Sequence, residues 1–212
     1  MILDKRADLR HGDVKKLLFS LSVPTITSQI VNMLYNLVDR VFIGHMQPAE
    51  TVGKLALTGV GVCLPIIMVI SAFASLMAIG GAPRASIAEG AGESEKSERI
   101  MGNCLTMLVI TALVLTVLFE SFAEPLLLMF GASENTIGYA LDYMRIYALG
   151  TIFVQLTLGM NAYITAQGFA TVSMKTVLIG ALLNTALDPL FIFVLGLGVR
   201  GAEVGGQAVL GR

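Results

Sequence analysis

Two aspartates stand inside long uncharged stretches of this 212-residue sequence, and they are the side chains best placed to do chemistry. Asp39 follows the uncharged run 17–38, and Asp188 separates the uncharged runs 176–187 and 189–199. A carboxylate within an apolar membrane span costs roughly 2.5–3.5 kcal/mol on insertion scales, so its default role is functional. Such a group can alternate between protonated and free, or between cation-bound and free, as water access changes sides.

Polar side chains precede Asp39 at helical spacing. Asn32, Tyr35, Asn36 and Asp39 follow the i, i+3, i+4, i+7 pattern and therefore share one helix face. A polar stripe on a membrane helix is unfavourable against lipid, so this face is predicted to line a bundle interior or a cavity.

Each aspartate also has a structural interpretation. Asp39 adjoins Arg40 and could form an ion pair at a helix end, whereas Asp188 adjoins Pro189 and could cap or bend its helix. Asn184 lies one turn before Asp188 and shares its helix face. A polar partner one turn before each aspartate favours the functional interpretation for the pair.

The spacing from the nearest lysines predicts that both aspartates lie in the outer half of the membrane. If Lys16 and Lys175 were level, the heights of Asp39 and Asp188 would differ by about 15 Å at the helical rise per residue. A kink at Pro24 would reduce that difference. Two carboxylates brought close together in a dry interior cannot both be ionised without a large energetic penalty.

The elements that position these residues are predicted to be membrane-spanning helices. Charged residues make up 14% of the chain, against about 25% in ordinary soluble domains. Four uncharged runs reach the ~20 residues that a bilayer crossing needs. The prediction is an all-α polytopic bundle of five spans plus an aborted sixth, with helices at about 17–46, 55–81, 100–122, 136–166 and 172–196.

Charge asymmetry predicts the orientation and the division of the chain. Residues 1–16 carry five cations, and further cations lie in the loop 84–99, which places the N-terminus in the cytoplasm. The predicted division is a cytoplasmic segment 1–16, a transmembrane lobe 17–202 and an atypical, truncated tail 203–212.

Several functions are not supported by the sequence. The net charge of -1 gives no signal for nucleic acid. Cys63 and Cys104 lie apart in apolar runs with no metal-ligand spacing, so neither a disulfide nor a metal site is predicted. No nucleophile, metal set or phosphate loop suggests an enzyme.

Five stretches together resemble the multidrug and toxic compound extrusion (MATE) transporters. They are YNLVDRVFIGH at 35–45, GGAPRASIAEGAGESEKSERIMGNCL at 80–105, MFGASENTIGYALDYMRIY at 129–147, MNAYITAQGF at 160–169 and NTALDPLFIFVLGLGVRGA at 184–202. The resemblance covers nearly the whole chain to about residue 202. It is strongest to the bacterial and archaeal branch that has an aspartate in the first helix.

The resemblance implies the N-terminal lobe of a transporter with twelve helices in two six-helix lobes. Such a protein would lie in the bacterial or archaeal cell membrane as a multi-pass protein and export cationic or amphipathic drugs by alternating access. It would exchange them for H⁺ or Na⁺ without a cofactor, and it would need the C-terminal lobe as its partner. The family pattern further implies a coupling site at Asp39, Asn184, Asp188 and Tyr35 and a hinge at Pro24.

The same family pattern matches Tyr143 and Asn161, which are 18 residues apart, or about 27 Å along a straight helix. Both therefore cannot contact one ion. Asn161 and Gln167 are instead candidates for the cytoplasmic half of a cavity. The wider set of possible cavity or network residues is Tyr143, Asn161, Gln167, Asn32 and Asn36, for which hydrogen bonding between helices is the alternative.

The sequence departs from the family after GVRGA, where EVGGQAVLGR replaces an apolar sixth helix. This departure suggests a truncated or frame-shifted product, or a gene fragment. The alternatives to a transporter lobe are a membrane fragment without activity, a half-subunit that needs a partner and, with less support, a lipid-linked oligosaccharide flippase.

Overall fold

The computed structural model describes residues 14–45, 49–197, 200–201, 203–204 and 207. Within this part of the chain, regular structure is entirely helical. The six α-helices are α1 (Val14–Gly44), α2 (Lys54–Gly90), α3 (Ser94–Met129), α4 (Ile137–Leu149), α5 (Thr151–Ala166) and α6 (Ala170–Pro189). Short π-helical turns, Ala49–Gly53 and Leu190–Val194, precede α2 and follow α6.

The helices are long and apolar enough for a polytopic membrane bundle. Four stretches qualify as spans on their own, and α4 with α5 forms a fifth that is bent by 57°. Large apolar side chains, including Phe19, Met68 and Val117, cover much of the outer surface, as they do where helices face lipid. The predicted all-helical membrane fold is confirmed, with four spans among the described residues, or five if the bent pair α4 and α5 is one span. Most of the predicted N-terminal segment, residues 1–13, lies outside the described residues.

Two helices extend beyond their uncharged runs. The sequence places a loop at 84–99, whereas α2 continues to Gly90 and α3 begins at Ser94. Ala85 and Ala88 remain buried in this extension, so α2 keeps a packed face after leaving the apolar zone. Charge marks where a helix leaves the membrane, but its backbone hydrogen bonds continue until the turn at Gly92, where φ is +81°.

The fourth predicted span, about 136–166, is two helices joined at Gly150. A Cβ built on Gly150 would collide with the side-chain amide of Gln207. The absence of a side chain at Gly150 leaves the space that the Gln207 amide occupies. The straight-helix distance between Tyr143 and Asn161 does not apply, because the bend lies between them.

The interior is built around α2, which packs against α3, α4 and α5, while α1 packs chiefly against α6. Hydroxyl groups link neighbouring helices through backbone carbonyls. Ser86 Oγ donates to the carbonyl oxygen of Ala166 at 2.6 Å, and Thr116 Oγ1 donates to that of Ala148 at 2.8 Å. The Thr116 bond ties two spans together inside the apolar zone, where no water competes for it.

Gln155 is a fully buried polar residue that links α5 to α2. Its Nε2 donates to the carbonyl oxygen of Ile70 at 2.8 Å. Replacing Gln155 with Leu keeps the volume but removes this bond, and we expect a loss of about 1 kcal/mol in unfolding free energy. Thr106→Val is the matched control, because the exposed Thr106 hydroxyl bonds only within its own helix, to Gly102. Thermal unfolding in detergent measures the stability of both variants. Equal melting temperatures for Gln155→Leu and Thr106→Val would contradict the expectation.

Candidate functional site

Asn184 and Asp188 form a buried pair on α6. Their exposed fractions are 5% and 0%. Asn184 Nδ2 donates to Asp188 Oδ1 at 3.1 Å, across one helical turn. Among the described residues, Asp188 Oδ2 and Asn184 Oδ1 have no hydrogen-bond partner. Two acceptor oxygens without donors in a dry interior constitute an unmet demand for a proton or a cation.

Asp39 lies on α1, the helix that packs against α6. Its carboxylate and that of Asp188 are close enough for their charges to interact. Arg40 is also close enough to attract Asp39 electrostatically. Asp39 Oδ1 is buried and has no hydrogen-bond partner among the described residues. The height difference expected from straight helices does not separate the two aspartates.

Tyrosines surround the two aspartates. Tyr35 interacts electrostatically with Asp39 and Asp188 and forms a side-chain hydrogen bond with Asn36. Tyr143 on α4 interacts with Asp39, and its ring stacks on that of Tyr147 with centroids 6.2 Å apart. Phenol hydroxyls can donate to a carboxylate or relay its proton, so these rings suit the surroundings of a titrating group.

The remaining predicted network residues lie elsewhere. Asn32 and Asn161 line a cavity of about 480 Å³ between α1, α2, α5 and α6, apart from the aspartates, which we call the second cavity. Asn36 is exposed, and its Nδ2 donates to the carbonyl oxygen of Asn32 at 2.7 Å. Gln167 follows the last residue of α5 as its C-cap. The structure thus places Tyr143 with the aspartates and Asn161 in the second cavity.

Glu203 and Gln207 are buried polar residues to which the sequence interpretation assigned no role. Both belong to the predicted tail, of which only residues 203, 204 and 207 are described, and the backbone there is helical. Gln207 Nε2 donates to Glu203 Oε1 at 2.7 Å. Their i, i+4 spacing repeats that of Asn184 and Asp188, and small residues surround them; this pattern was the available signal.

The arrangement can exchange a proton or bind a small monovalent cation. Carboxylate and amide oxygens without donors accept either. Within the described ranges, no three His, Cys, Asp or Glu side chains form a group that could hold a metal ion. The arrangement allows reversible neutralisation of carboxylates that lie between membrane helices.

A bundle of membrane-spanning helices with acidic side chains between them is the architecture of polytopic membrane transport proteins. The profile of the MatE family matches residues 24–190, well over half of the sequence. The chain belongs to the MATE family, whose members are transporters and not enzymes.

Known proteins of this family are similar along nearly the whole chain. The multidrug export protein MepA of Staphylococcus haemolyticus (strain JCSC1435) is 29% identical over 195 residues, which cover 92% of this chain and 42% of MepA. A solved outward-facing conformation of a multidrug resistance MATE transporter has a TM-score of 0.87 at 27% identity. A MATE crystal structure in the bent conformation has a TM-score of 0.88 at 27% identity. In both structural comparisons, 98% of this chain and 45% of the solved chain are covered.

The chain spans about half the length of the curated relatives it matches. The resemblance to a MATE N-terminal lobe, first noted on sequence motifs, is confirmed by the family match and the structural similarity.

Proposed function

We propose that this lobe carries the coupling site of a secondary multidrug exporter, which exchanges cationic or amphipathic drugs for H⁺ or Na⁺. The observation that carries the proposal is the buried carboxylate of Asp188, close enough to Asp39 on a neighbouring helix for their charges to interact. The similarity to MepA, which is a multidrug export protein, supports the choice of drugs as the transported molecules. Asn184 holds Asp188, and Tyr35 contributes a phenol beside both carboxylates.

The mechanism follows from charge and packing. With both carboxylates free, their repulsion and desolvation disfavour a tightly packed α1–α6 interface. Uptake of a proton or Na⁺ neutralises one carboxylate and favours closer packing of the two helices. The resulting shift in α1 would change the shape of the drug cavity and so couple ion entry to drug release. Asn32 and Asn161 in the second cavity are positioned to contact a polar group of the drug.

Orientation is part of the proposal. Successive spans run in opposite directions, so α1, α3 and α6 begin at the same end of the bundle. Their first residues include the cations Lys15, Lys96, Arg99 and Lys175. By the positive-inside rule this end faces the cytoplasm. The C-terminal lobe is proposed as the protein partner of this lobe. Only 12% of the most apolar stretch of α1 is buried within this chain, which leaves apolar surface for that lobe or for lipid.

Pro24 is proposed as the hinge of α1. It is buried within the helix, and three hydroxyls bond back to carbonyls one turn earlier, among them Ser28 Oγ to the Pro24 oxygen at 2.9 Å. Proline removes a backbone donor, and such back-bonding favours bending. Pro24→Ala restores the donor, and we expect exchange to slow at least about fivefold with drug binding unchanged, because bending gates turnover.

The control for the hinge is Pro65→Ala, since Pro65 lies inside α2, where the backbone has no kink. Stopped-flow exchange and equilibrium drug binding, both in a full-length transporter that contains this lobe, separate the two effects. Equal slowing by both substitutions would argue against a hinge at Pro24.

The proposed function is tested in vesicles that contain the full-length transporter. Addition of a cationic dye substrate should dissipate an imposed proton gradient or a sodium gradient, and export of the dye should require one of them. Dye export that proceeds equally without either gradient would refute ion coupling. A competing possibility is a lobe that is inactive until a separate half assembles with it; dye export appearing only on co-expression with a C-terminal lobe would support that alternative.

A further inference from the structure

Glu203 lies beyond the last long helix, yet its carboxyl group is enclosed by protein. Its exposed fraction is 6%. Gln207 donates to Oε1 at 2.7 Å, and the hydroxyl of Tyr143 forms a second side-chain hydrogen bond to the same carboxyl group. A buried glutamate with two donors is held in one orientation, as a residue of a binding or proton-exchange site is.

The short segment that carries Glu203 is fastened at three places. Arg200 Nη2 donates to Asp142 Oδ1 at 2.6 Å. The backbone of Gly201 passes so close to Phe191 that a Cβ would lie 2.6 Å from its carbonyl oxygen. The amide of Gln207 rests on Gly150, at the bend of the fourth span. These contacts place Glu203 against α4 and close to the end of α6.

Glu203 faces the aspartates of the proposed site. Its charge interacts with those of both Asp39 and Asp188. The titratable groups that face it from the packed elements are Asp39 and Tyr35 on α1, Cys63 on α2, Tyr143 and Tyr147 on α4, and Asp188 on α6. Among the described residues, no cation belongs to this group of partners.

An independent observation points to a ligand in this region. Asp188 and Asn184 are more than nine-tenths buried, and each keeps one oxygen without a hydrogen-bond partner among the described residues. The three carboxylates do not converge on one metal position within those residues. Three separated but electrostatically coupled acids can share protons among them.

We infer that Glu203 is a third proton-binding residue of the lobe, which exchanges protons with the pair Asp39 and Asp188 through the polar contacts around Tyr143. The inference rests on the proposed function and deepens it, because it names the proton as the ion and adds a carboxyl group from the C-terminal segment. Ionising all three acids of one enclosed cluster is costly, so the cluster retains protons at neutral pH and releases them only as the pH rises further.

The test is infrared difference spectroscopy of the 212-residue chain in lipid films. A pH step from about 5.5 to about 10 leaves ordinary exposed carboxyls ionised throughout, so the loss of protonated-carboxyl absorbance reports only enclosed groups. Glu203→Gln should reduce that loss by about one third, since it removes one of three equal absorbers. Glu134→Gln, at an exposed position, is the matched control and should change nothing. Asp39→Asn should alter the pH midpoint of the remaining signal, since it removes a charge that Glu203 feels.

A signal in Glu203→Gln equal to that of the unaltered chain would overturn the inference. Glu203→Asp guards against misfolding, because it restores a carboxyl group; an equal loss in both variants would mean a structural effect and would also overturn it. The proposed function fails separately. If the full-length transporter shows no ion-coupled dye export but Glu203→Gln still reduces the infrared signal, the proposed function is wrong and the three-acid cluster is supported. If export is normal and the infrared signal is unchanged in Glu203→Gln, only the role of Glu203 is wrong.

Discussion

Asp188→Asn is expected to lower ion-coupled drug export at least about tenfold, because a carboxamide of the same size cannot release or accept the coupling proton. Asp188 is fully buried, and its Oδ1 accepts a hydrogen bond from Asn184 that an asparagine oxygen can also accept. The fold should therefore survive while the charge is lost. The measurement is dye export driven by an imposed ion gradient, in vesicles that contain a full-length transporter with this lobe.

The matched control is Glu95→Gln, which neutralises an exposed carboxylate paired with Arg99 on α3. Exposed ion pairs contribute little, about 0–1 kcal/mol, so this variant should export dye normally. Equilibrium dye binding separates coupling from binding, and the Asp188 variant should still bind dye. Export by Asp188→Asn within twofold of the unaltered transporter would exclude Asp188 from the coupling step. An amide cannot take up or release a proton, so it cannot replace a group whose protonation must change.

Gly150→Leu is expected to have the largest effect on stability, about 1–3 kcal/mol or more, because it overpacks a filled site. The Cβ would occupy the position of the Gln207 amide. The side chain must therefore displace Gln207 and with it the hydrogen bond to Glu203. The result should be a lower melting temperature of the purified chain and a changed environment of the C-terminal segment.

Gly138→Leu is the control for this substitution, since a Cβ at Gly138 meets nothing within 4 Å. Both are glycines of the fourth span or its joint, so the loss of glycine as such is matched. Reactivity of the buried Cys63 thiol during heating reports unfolding, in a Cys104→Ser background that removes the second thiol. Equal melting of the two glycine variants would show that Gln207 does not pack at the bend in the way the structure indicates.

Patterns within single helices were readable from the sequence. Uncharged runs predicted the spans because a bilayer demands unbroken apolar length. The i, i+4 spacing predicted that Asn184 and Asp188 share a face, and the structure shows them bonded. Helix ends were predicted less well: α2 and α3 extend past their apolar runs, because backbone hydrogen bonding does not stop at the membrane boundary.

Contacts between distant helices were not readable in the same way. A straight-helix estimate already indicated that Tyr143 and Asn161 do not share one ion. It did not show where each residue lies: Tyr143 is beside the aspartates and Asn161 is in the second cavity, on opposite sides of the bend at Gly150. Glu203 was overlooked because its segment is rich in glycine and short of apolar residues. Its burial comes from neighbours on α4 and α6, which no local pattern contains.

The sequence by itself determined the all-helical membrane class and showed which two aspartates lie at or within apolar runs, since both depend on hydropathy and helical period along the chain. Only the tertiary structure decided which of the polar residues meet. The physical reason is that helix packing and the bend at Gly150 set heights and rotations that sequence spacing leaves free. Those rotations bring Asp39 within electrostatic reach of Asp188, and they bring Glu203 from the C-terminal segment to the same pair.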